Sequence, residues 1–171
     1  MFDGINLQSG IYSLIILISI LVLYSNSLLI KVLIISLIFF LYLNFKNKTF
    51  LGDSGSLLIS FIISYLFINL YNSNFIEHAD IITLYMIVPG LDLIRLFIIR
   101  IINKKNPLTS DRNHLHHILI KKYTFGKTLI IIFLLVSLPL ILNFFRISNL
   151  VTIIVTVLVY SFLVRITSKD S

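Results

Sequence analysis

Residues Ile81–Ile102 read IITLYMIVPGLDLIRLFIIRII and form the longest apolar segment of the chain. A transmembrane helix needs about 20 predominantly apolar residues, so this segment is long enough to cross a bilayer. Its Pro89-Gly90 pair predicts an interruption, and Asp92 and Arg95 follow within the same segment. Ionisable side chains are costly in a bilayer, and residues three apart share a helix face. We therefore predict that Arg95 forms an ion pair with Asp92.

The remainder of the chain continues this succession of apolar segments and short polar turns. Of its 171 residues, 58% are hydrophobic and 12% are charged, whereas soluble domains are about half apolar and a quarter charged. This composition excludes a soluble globular domain. It predicts an all-α fold, a polytopic membrane helical bundle of about six transmembrane helices that form a single transmembrane domain over residues 1–171. The predicted spans are Ile11–Tyr24, Leu28–Phe45, Leu57–Tyr71, Ile81–Ile102, Leu129–Phe145 and Leu150–Ile166.

Basic residues are distributed unevenly between the two ends of these spans. One end collects the Lys- and Arg-rich loops near 46–56 and 103–127, and the other receives only Lys31 and Arg146, together with the acids Glu77 and Asp80. Since cytoplasmic loops carry an excess of Lys and Arg, we predict that the two basic loops are cytoplasmic. The net charge of +7 is typical of contact with anionic lipid or phosphate. The chain has no cysteine, which excludes disulfides and thiolate metal sites.

The longest polar run, NKKNPLTSDRNHLHHILIKK at Asn103–Lys122, directly follows the longest apolar segment. It contains His114, His116 and His117, with Arg112 close before them. Histidine clusters bind zinc, but a third and fourth ligand are not evident here. A hydrated interfacial loop with accidental histidines is a second interpretation. The neighbouring arginine and lysines favour a third interpretation, the binding of a phosphate or diphosphate.

A second polar motif, GDSGS at Gly52–Ser56, precedes an apolar run where a helix should begin. Asp53 has two interpretations there. It can cap the free backbone amides of the helix, or it can hold Mg²⁺ beside a phosphate that the glycines allow to come close. The alternation of six spans brings Asp3, Asp53 and the histidines to the same side of the membrane, which favours a shared site.

Four motifs occur in a fixed order, and they are FDGIN (Phe2–Asn6), FLGDSGS (Phe50–Ser56), PGLDLIRLFIIRI (Pro89–Ile101) and NPLTSDRNHLHHIL (Asn106–Leu119). In this succession the chain resembles the bacterial polyprenyl-phosphate N-acetylhexosamine-1-phosphate transferases, and more narrowly their undecaprenyl-phosphate GlcNAc-1-phosphate transferase branch. The resemblance implies transfer of GlcNAc-1-phosphate, or a related sugar-1-phosphate, from a UDP-sugar to undecaprenyl phosphate with release of UMP. Such a reaction belongs to cell-envelope polysaccharide biosynthesis, for example of lipopolysaccharide or O-antigen.

The resemblance also implies roles for individual residues. The catalytic residues that it implies are Asp53, His114, His116 and His117. The substrate-binding residues that it implies are Asp3, Asn6 and Arg112. Asp53 and Asp3 would be ligands of Mg²⁺, with Mn²⁺ as the alternative metal. The implied site lies on the cytoplasmic face of the bacterial inner membrane, and its partners are a UDP-sugar and a polyprenyl phosphate, with no nucleic acid.

The resemblance covers only the second half of the family's pattern. The Asp-Asp pair that the family uses for the lipid phosphate has no counterpart, Met1 falls inside a motif, and Asn6 stands where relatives often have Asp. We therefore expect the C-terminal half of a larger bundle, inactive alone and dependent on the missing N-terminal half or a second subunit. The alternatives are a noncatalytic remnant, one half of a split enzyme and, from HLHH, a small membrane metal carrier.

Overall fold

The computed structural model describes residues 7–24, 27–106 and 113–168. Over these ranges the chain forms seven α-helices and no strand, which confirms the predicted all-α fold. The helices are α1 (Gln8–Leu23), α2 (Leu28–Phe45), α3 (Gly52–Asn72), α4 (Ala79–Ile102), α5 (Leu115–Lys122), α6 (Phe125–Phe144) and α7 (Asn149–Ser168). Five of them, α2, α3, α4, α6 and α7, are long and apolar enough to cross a membrane.

Three of the helices differ from the predicted pattern. The first predicted span corresponds to α1, which has 16 residues and falls just short of the roughly 17 that a crossing requires. Helix α4 continues through Pro89, so the interruption predicted at Pro89-Gly90 does not break the helix. Membrane helices tolerate proline because neighbouring groups and local adjustments satisfy the freed carbonyl. Helix α5 lies inside the polar run that was predicted as a loop.

The chain divides into two compact units, Met1–Ile82 and Thr83–Ser171, and the division falls between two residues of α4. In the first unit, α1 packs against both α2 and α3. Buried Ile16, Ile20 and Ile30 form part of its core. At Gly10 of α1, an added Cβ would lie 2.7 Å from the end of the Leu41 side chain of α2. This glycine therefore allows the two helices to approach closely.

Helix α3 carries serines at intervals of four residues, and their hydroxyl groups bond within the helix itself. Ser56 Oγ donates to the carbonyl of Gly52, Ser60 Oγ to that of Ser56, and Ser64 Oγ to that of Ser60. A hydroxyl group without a partner is costly in an apolar environment. These internal bonds let polar residues occupy a helix of membrane-spanning length.

In the second unit, α5 packs against α6 and α7, which also pack against each other. Leu115 and Leu119 form the buried face of α5 and are 5% and 0% exposed. Lys122 at the end of α5 donates a 3.2 Å hydrogen bond to the carbonyl of Ile166 in α7. The short helix is therefore fixed at both ends of its apolar face, and the histidines stand at its beginning.

Candidate functional site

Asp92 in α4 is the centre of a buried hydrogen-bond network in the second unit. Its carboxylate Oδ1 accepts hydrogen bonds from Arg95 Nη2 at 2.8 Å, the Tyr160 hydroxyl at 2.8 Å and the Leu115 N–H at 3.1 Å. Its Oδ2 lies 2.8 Å from His114 Nδ1. The residue is only 5% exposed. A buried carboxylate needs several hydrogen-bond donors around its oxygens, because an unpaired one would carry a large desolvation penalty.

Arg95 confirms the predicted ion pair with Asp92 and makes two further contacts. Its Nε donates to the Tyr160 hydroxyl at 2.9 Å, and its Nη2 donates to the carbonyl of Asn113 at 2.6 Å. The planar guanidinium is suited to several such contacts, since its donors point in fixed directions. The pair therefore does more than neutralise charge, because it also attaches the segment before α5 to α4 and α7.

The histidines lie together at the N-terminal end of α5. His114 is the N-cap residue, and His116 and His117 occupy the first turn. The His114 and His116 rings are stacked with centroids 5.5 Å apart, and the His117 ring is tilted against His116 at 4.3 Å. The structure therefore brings together all three of the predicted histidines. On the sequence alone, His114 and His117 were expected to share a face, whereas the observed ring contacts join each of them to His116.

His116 is the most deeply buried of the three histidines, at 2% exposure. Burial, together with the nearby His117 and His114, lowers the pKa of His116 from 6.5 to about 4. Among the described residues, its Nε2 has no hydrogen-bond partner. The ring is therefore neutral at physiological pH, and it can take part in hydrogen bonding without adding charge.

Asp53 belongs to the first unit and is an exposed residue in the first turn of α3. The N-cap residue is Leu51, and no side chain forms the cap hydrogen bond. The capping interpretation of Asp53 is therefore not supported, although a negative charge in the first turn is favourable to the helix dipole. Gly52 has φ of +66°, a conformation that glycine adopts at little cost. Glycine thus favours this backbone conformation immediately before the aspartate.

Other predicted site residues, Asp3, Asn6 and Arg112, lie outside the described residues. Within the ranges that are described, no group of three or more His, Asp or Glu side chains is arranged to hold a metal ion. The roles of Asp53 and Asp3 as metal ligands, and of the histidines as catalytic residues, therefore stay predictions.

Sequence reasoning missed Tyr160 and the contact between Asp92 and His114. Tyr160 is buried in α7 among aliphatic residues. A hydroxyl group in such a span needs a hydrogen-bond partner. This requirement was the signal in the sequence that could have identified Tyr160. It indicates that a partner exists without indicating which residue it is. The partner predicted for Asp92 was Arg95, and His114 was not named as another.

Comparisons with known proteins show which family this chain resembles. A family model described as Glycosyl transferase family 4 matches residues 1–71. An undecaprenyl-phosphate alpha-N-acetylglucosaminyl 1-phosphate transferase of Thermotoga maritima is 34% identical over 115 residues, which are 67% of this chain and 37% of that protein. The protein of the same name from Haemophilus influenzae is 30% identical over 96 residues, which are 52% of this chain and 27% of that protein. No solved structure matches the chain.

These matches confirm the resemblance to the polyprenyl-phosphate sugar-1-phosphate transferases. The chain is a multi-pass membrane protein similar to these enzymes. The matched part is 37% of the length of one relative and 27% of the other. The activity of a whole transferase therefore comes to this chain only as a proposal.

Proposed function

We propose that the chain is part of a membrane phosphoglycosyltransferase. It supplies a metal-binding aspartate, Asp53, and residues 112–122, which we call the histidine segment. The reaction is transfer of a sugar-1-phosphate from a UDP-sugar to a polyprenyl phosphate, with release of UMP. The observation that carries the proposal is the anchored group of His114, His116 and His117 in a chain similar to two such transferases. GlcNAc as the sugar and undecaprenyl phosphate as the acceptor follow the names of those relatives.

Transfer between phosphates depends on position and electrostatics more than on covalent catalysis. The histidine segment provides groups that can orient a substrate and groups that carry positive charge. His116 is neutral and supplies hydrogen bonding without charge, while Lys121 and Lys122 place positive charge at the end of the same helix. Arg112, the other basic residue of the motif, would add a planar donor for a diphosphate. These groups would bind and orient the anionic donor.

Asp53 is the residue of this chain that fits a magnesium ion. Mg²⁺ prefers carboxylate oxygens and retains several water ligands, and Asp53 presents an exposed carboxylate that is not used as a helix cap. Asp3 would be the second carboxylate. When bound, the ion would neutralise phosphate charge on the donor. The chain's own contribution is to hold the carboxylate at the start of α3, where Gly52 sets the backbone.

The site is proposed to face the cytoplasm at the bacterial inner membrane, where UDP-sugars are available. The Lys and Arg distribution supports this orientation. These 171 residues contain no Asp-Asp pair, and the matched part is 37% of the length of one relative, so we propose that another region or subunit binds the lipid phosphate. The two alternatives, a noncatalytic remnant and a metal carrier, predict no sugar transfer under any condition.

The test is a transfer assay with the purified chain, with and without the co-expressed upstream half of a relative. Radiolabelled UDP-GlcNAc, undecaprenyl phosphate and Mg²⁺ are supplied, and labelled lipid is extracted. We expect labelled lipid only from the combined halves. Labelled lipid from the chain alone would show that the upstream half of the relative is dispensable. No product from the combined halves, under conditions where an intact relative is active, would refute the proposed function.

A further inference from the structure

One turn of α4 holds three consecutive residues around His114 by separate contacts. Arg95 Nη2 donates to the carbonyl of Asn113 at 2.6 Å, and Asp92 Oδ1 accepts from the N–H of Leu115 at 3.1 Å. Between them, Asp92 Oδ2 lies 2.8 Å from His114 Nδ1. The side chain of His114 and both adjoining peptide groups are thus fixed by α4.

An ion pair alone does not require this arrangement. Arg95 and Tyr160 both bond to Oδ1 of Asp92, and Oδ2 of the same carboxylate is directed to His114. The side chains of Asp92 and His114 are 7% and 12% exposed, so this contact is shielded from water. Hydrogen bonds to a shielded carboxylate are stronger and more directional than those at a surface.

The contact determines which ring nitrogen of His114 carries a proton. A carboxylate can only accept hydrogen bonds, so the proton between the two groups belongs to Nδ1. A neutral imidazole with its proton on Nδ1 has its lone pair on Nε2. Nε2 is then the ring nitrogen with which His114 can accept a hydrogen bond from a hydroxyl group of the substrate.

We propose that Asp92 is a positioning residue, which fixes His114 in the form protonated at Nδ1 and so presents Nε2 to the donor substrate. This inference rests on the proposed function of the histidine segment. Asp92 is buried and acts through His114, without contact with the substrate. Arg95 supports the same role, because it neutralises the carboxylate and holds the backbone before the histidine.

The informative variant is Asp92→Asn. The asparagine keeps the size of the side chain, and its carbonyl oxygen can still accept from Leu115. Its amide N–H group would face Nδ1 of His114, which could pair with it only as an acceptor, and the ring proton would move to Nε2. Nitrogen-15 NMR of the histidine-labelled chain, combined with the upstream half in lipid, reads this change directly. The chain has four histidines, and loss of a signal in His114→Gln identifies the relevant one.

We expect His114 to be protonated at Nδ1 in the wild type and at Nε2 in Asp92→Asn. The kcat for sugar transfer should fall by roughly 100-fold, as for loss of a correctly oriented histidine, while the KM for the UDP-sugar changes much less. Tyr160→Phe is the matched control. It removes a hydrogen bond from the same carboxylate and leaves the group that faces His114 unchanged, so the Nδ1 proton should remain and kcat should fall far less.

Thermal unfolding of both variants measures the stability that each loses. Equal losses of kcat in Asp92→Asn and Tyr160→Phe would assign the effect to the network as a whole and overturn the positioning role. Wild-type kcat in Asp92→Asn, or retention of the Nδ1 proton, would overturn it as well. In those cases the wild type still transfers sugar, and the proposed function stands. A wild-type combination without transfer refutes the proposed function, and the positioning role with it.

Discussion

Asn44 and Thr49 are joined across the end of α2, where Nδ2 of the asparagine donates a 2.7 Å hydrogen bond to the carbonyl of Thr49. The Oδ1 atom of the same side chain accepts from the N–H of Leu7 at 2.9 Å. Asn44 is 3% exposed. One buried amide therefore links the residue before α1 with the turn that precedes α3, and the second of these leads directly to Gly52 and Asp53.

Replacement of Asn44 by leucine should destabilise the first unit. The N–H of Leu7 and the carbonyl of Thr49, both in partly buried hydrogen bonds, would lose their partner, and a fully buried unsatisfied group costs about 1–3 kcal/mol. The measurement is thermal unfolding in detergent, with Asn69→Leu as the control because Asn69 is an exposed asparagine of α3. Equal melting temperatures for the Asn44 variant and the wild type would show that water replaces the missing amide.

Replacement of Asp53 by asparagine should abolish most sugar transfer by the combined halves and leave the fold intact. The change removes a metal-binding charge, and the loss of its interaction with the helix dipole costs only about 0.3–1 kcal/mol. Asp80→Asn is the matched control, since it removes the same charge from the first turn of α4. The Mg²⁺ dependence of turnover is measured for both. Normal Mg²⁺-dependent turnover in the Asp53 variant would contradict the metal assignment.

Acid should destabilise the chain through His116. Its folded-state pKa of about 4 lies below its ordinary value of 6.5, so the unfolded chain binds more protons between these pH values. Stability is therefore fully present above pH 6.5 and is lost as the pH falls towards 4, by up to ~1.4 kcal/mol per pH unit.

The measurement is the unfolding free energy of wild type and His116→Gln between pH 7 and pH 4. The variant should lose less stability on acidification than the wild type. His78→Gln, a change at an exposed histidine, should retain the acid sensitivity of the wild type. Identical pH profiles for wild type and His116→Gln would mean that His116 is protonated in the folded state as readily as in the unfolded one.

The predicted orientation can be tested with single cysteines, because the chain has none of its own. Lys105→Cys and Asn74→Cys place a thiol at exposed positions in the two loops predicted to lie on opposite sides. An impermeant thiol reagent should label Asn74→Cys in intact cells, and Lys105→Cys only after the membrane is opened. The reverse pattern would place the histidine segment outside the cell.

The helices of membrane-spanning length were predictable because long apolar segments leave the chain few alternatives. Leu28–Phe45 was predicted with the bounds that α2 has, since polar residues flank it closely. Helix α5 was not predicted as an element. It has eight residues, and its position depends on packing against α6 and α7 more than on its own helix propensity.

The histidines could be selected as candidates from their motif, but their partners could not. Asp92 and Tyr160 are 68 residues apart, and Asp92 and His114 are 22 apart. A local pattern of residues indicates that a buried carboxylate needs partners without identifying them. Arg95 was predicted as a partner of Asp92 because residues three apart on a helix share a face.

The internal serine bonds of α3 have a consequence for how this helix enters a bilayer. Each serine hydroxyl already donates a hydrogen bond to the preceding turn. None of these hydroxyls therefore needs a hydrogen-bond partner from another helix when α3 moves from water into the bilayer. The helix can therefore partition into lipid before any neighbour has assembled.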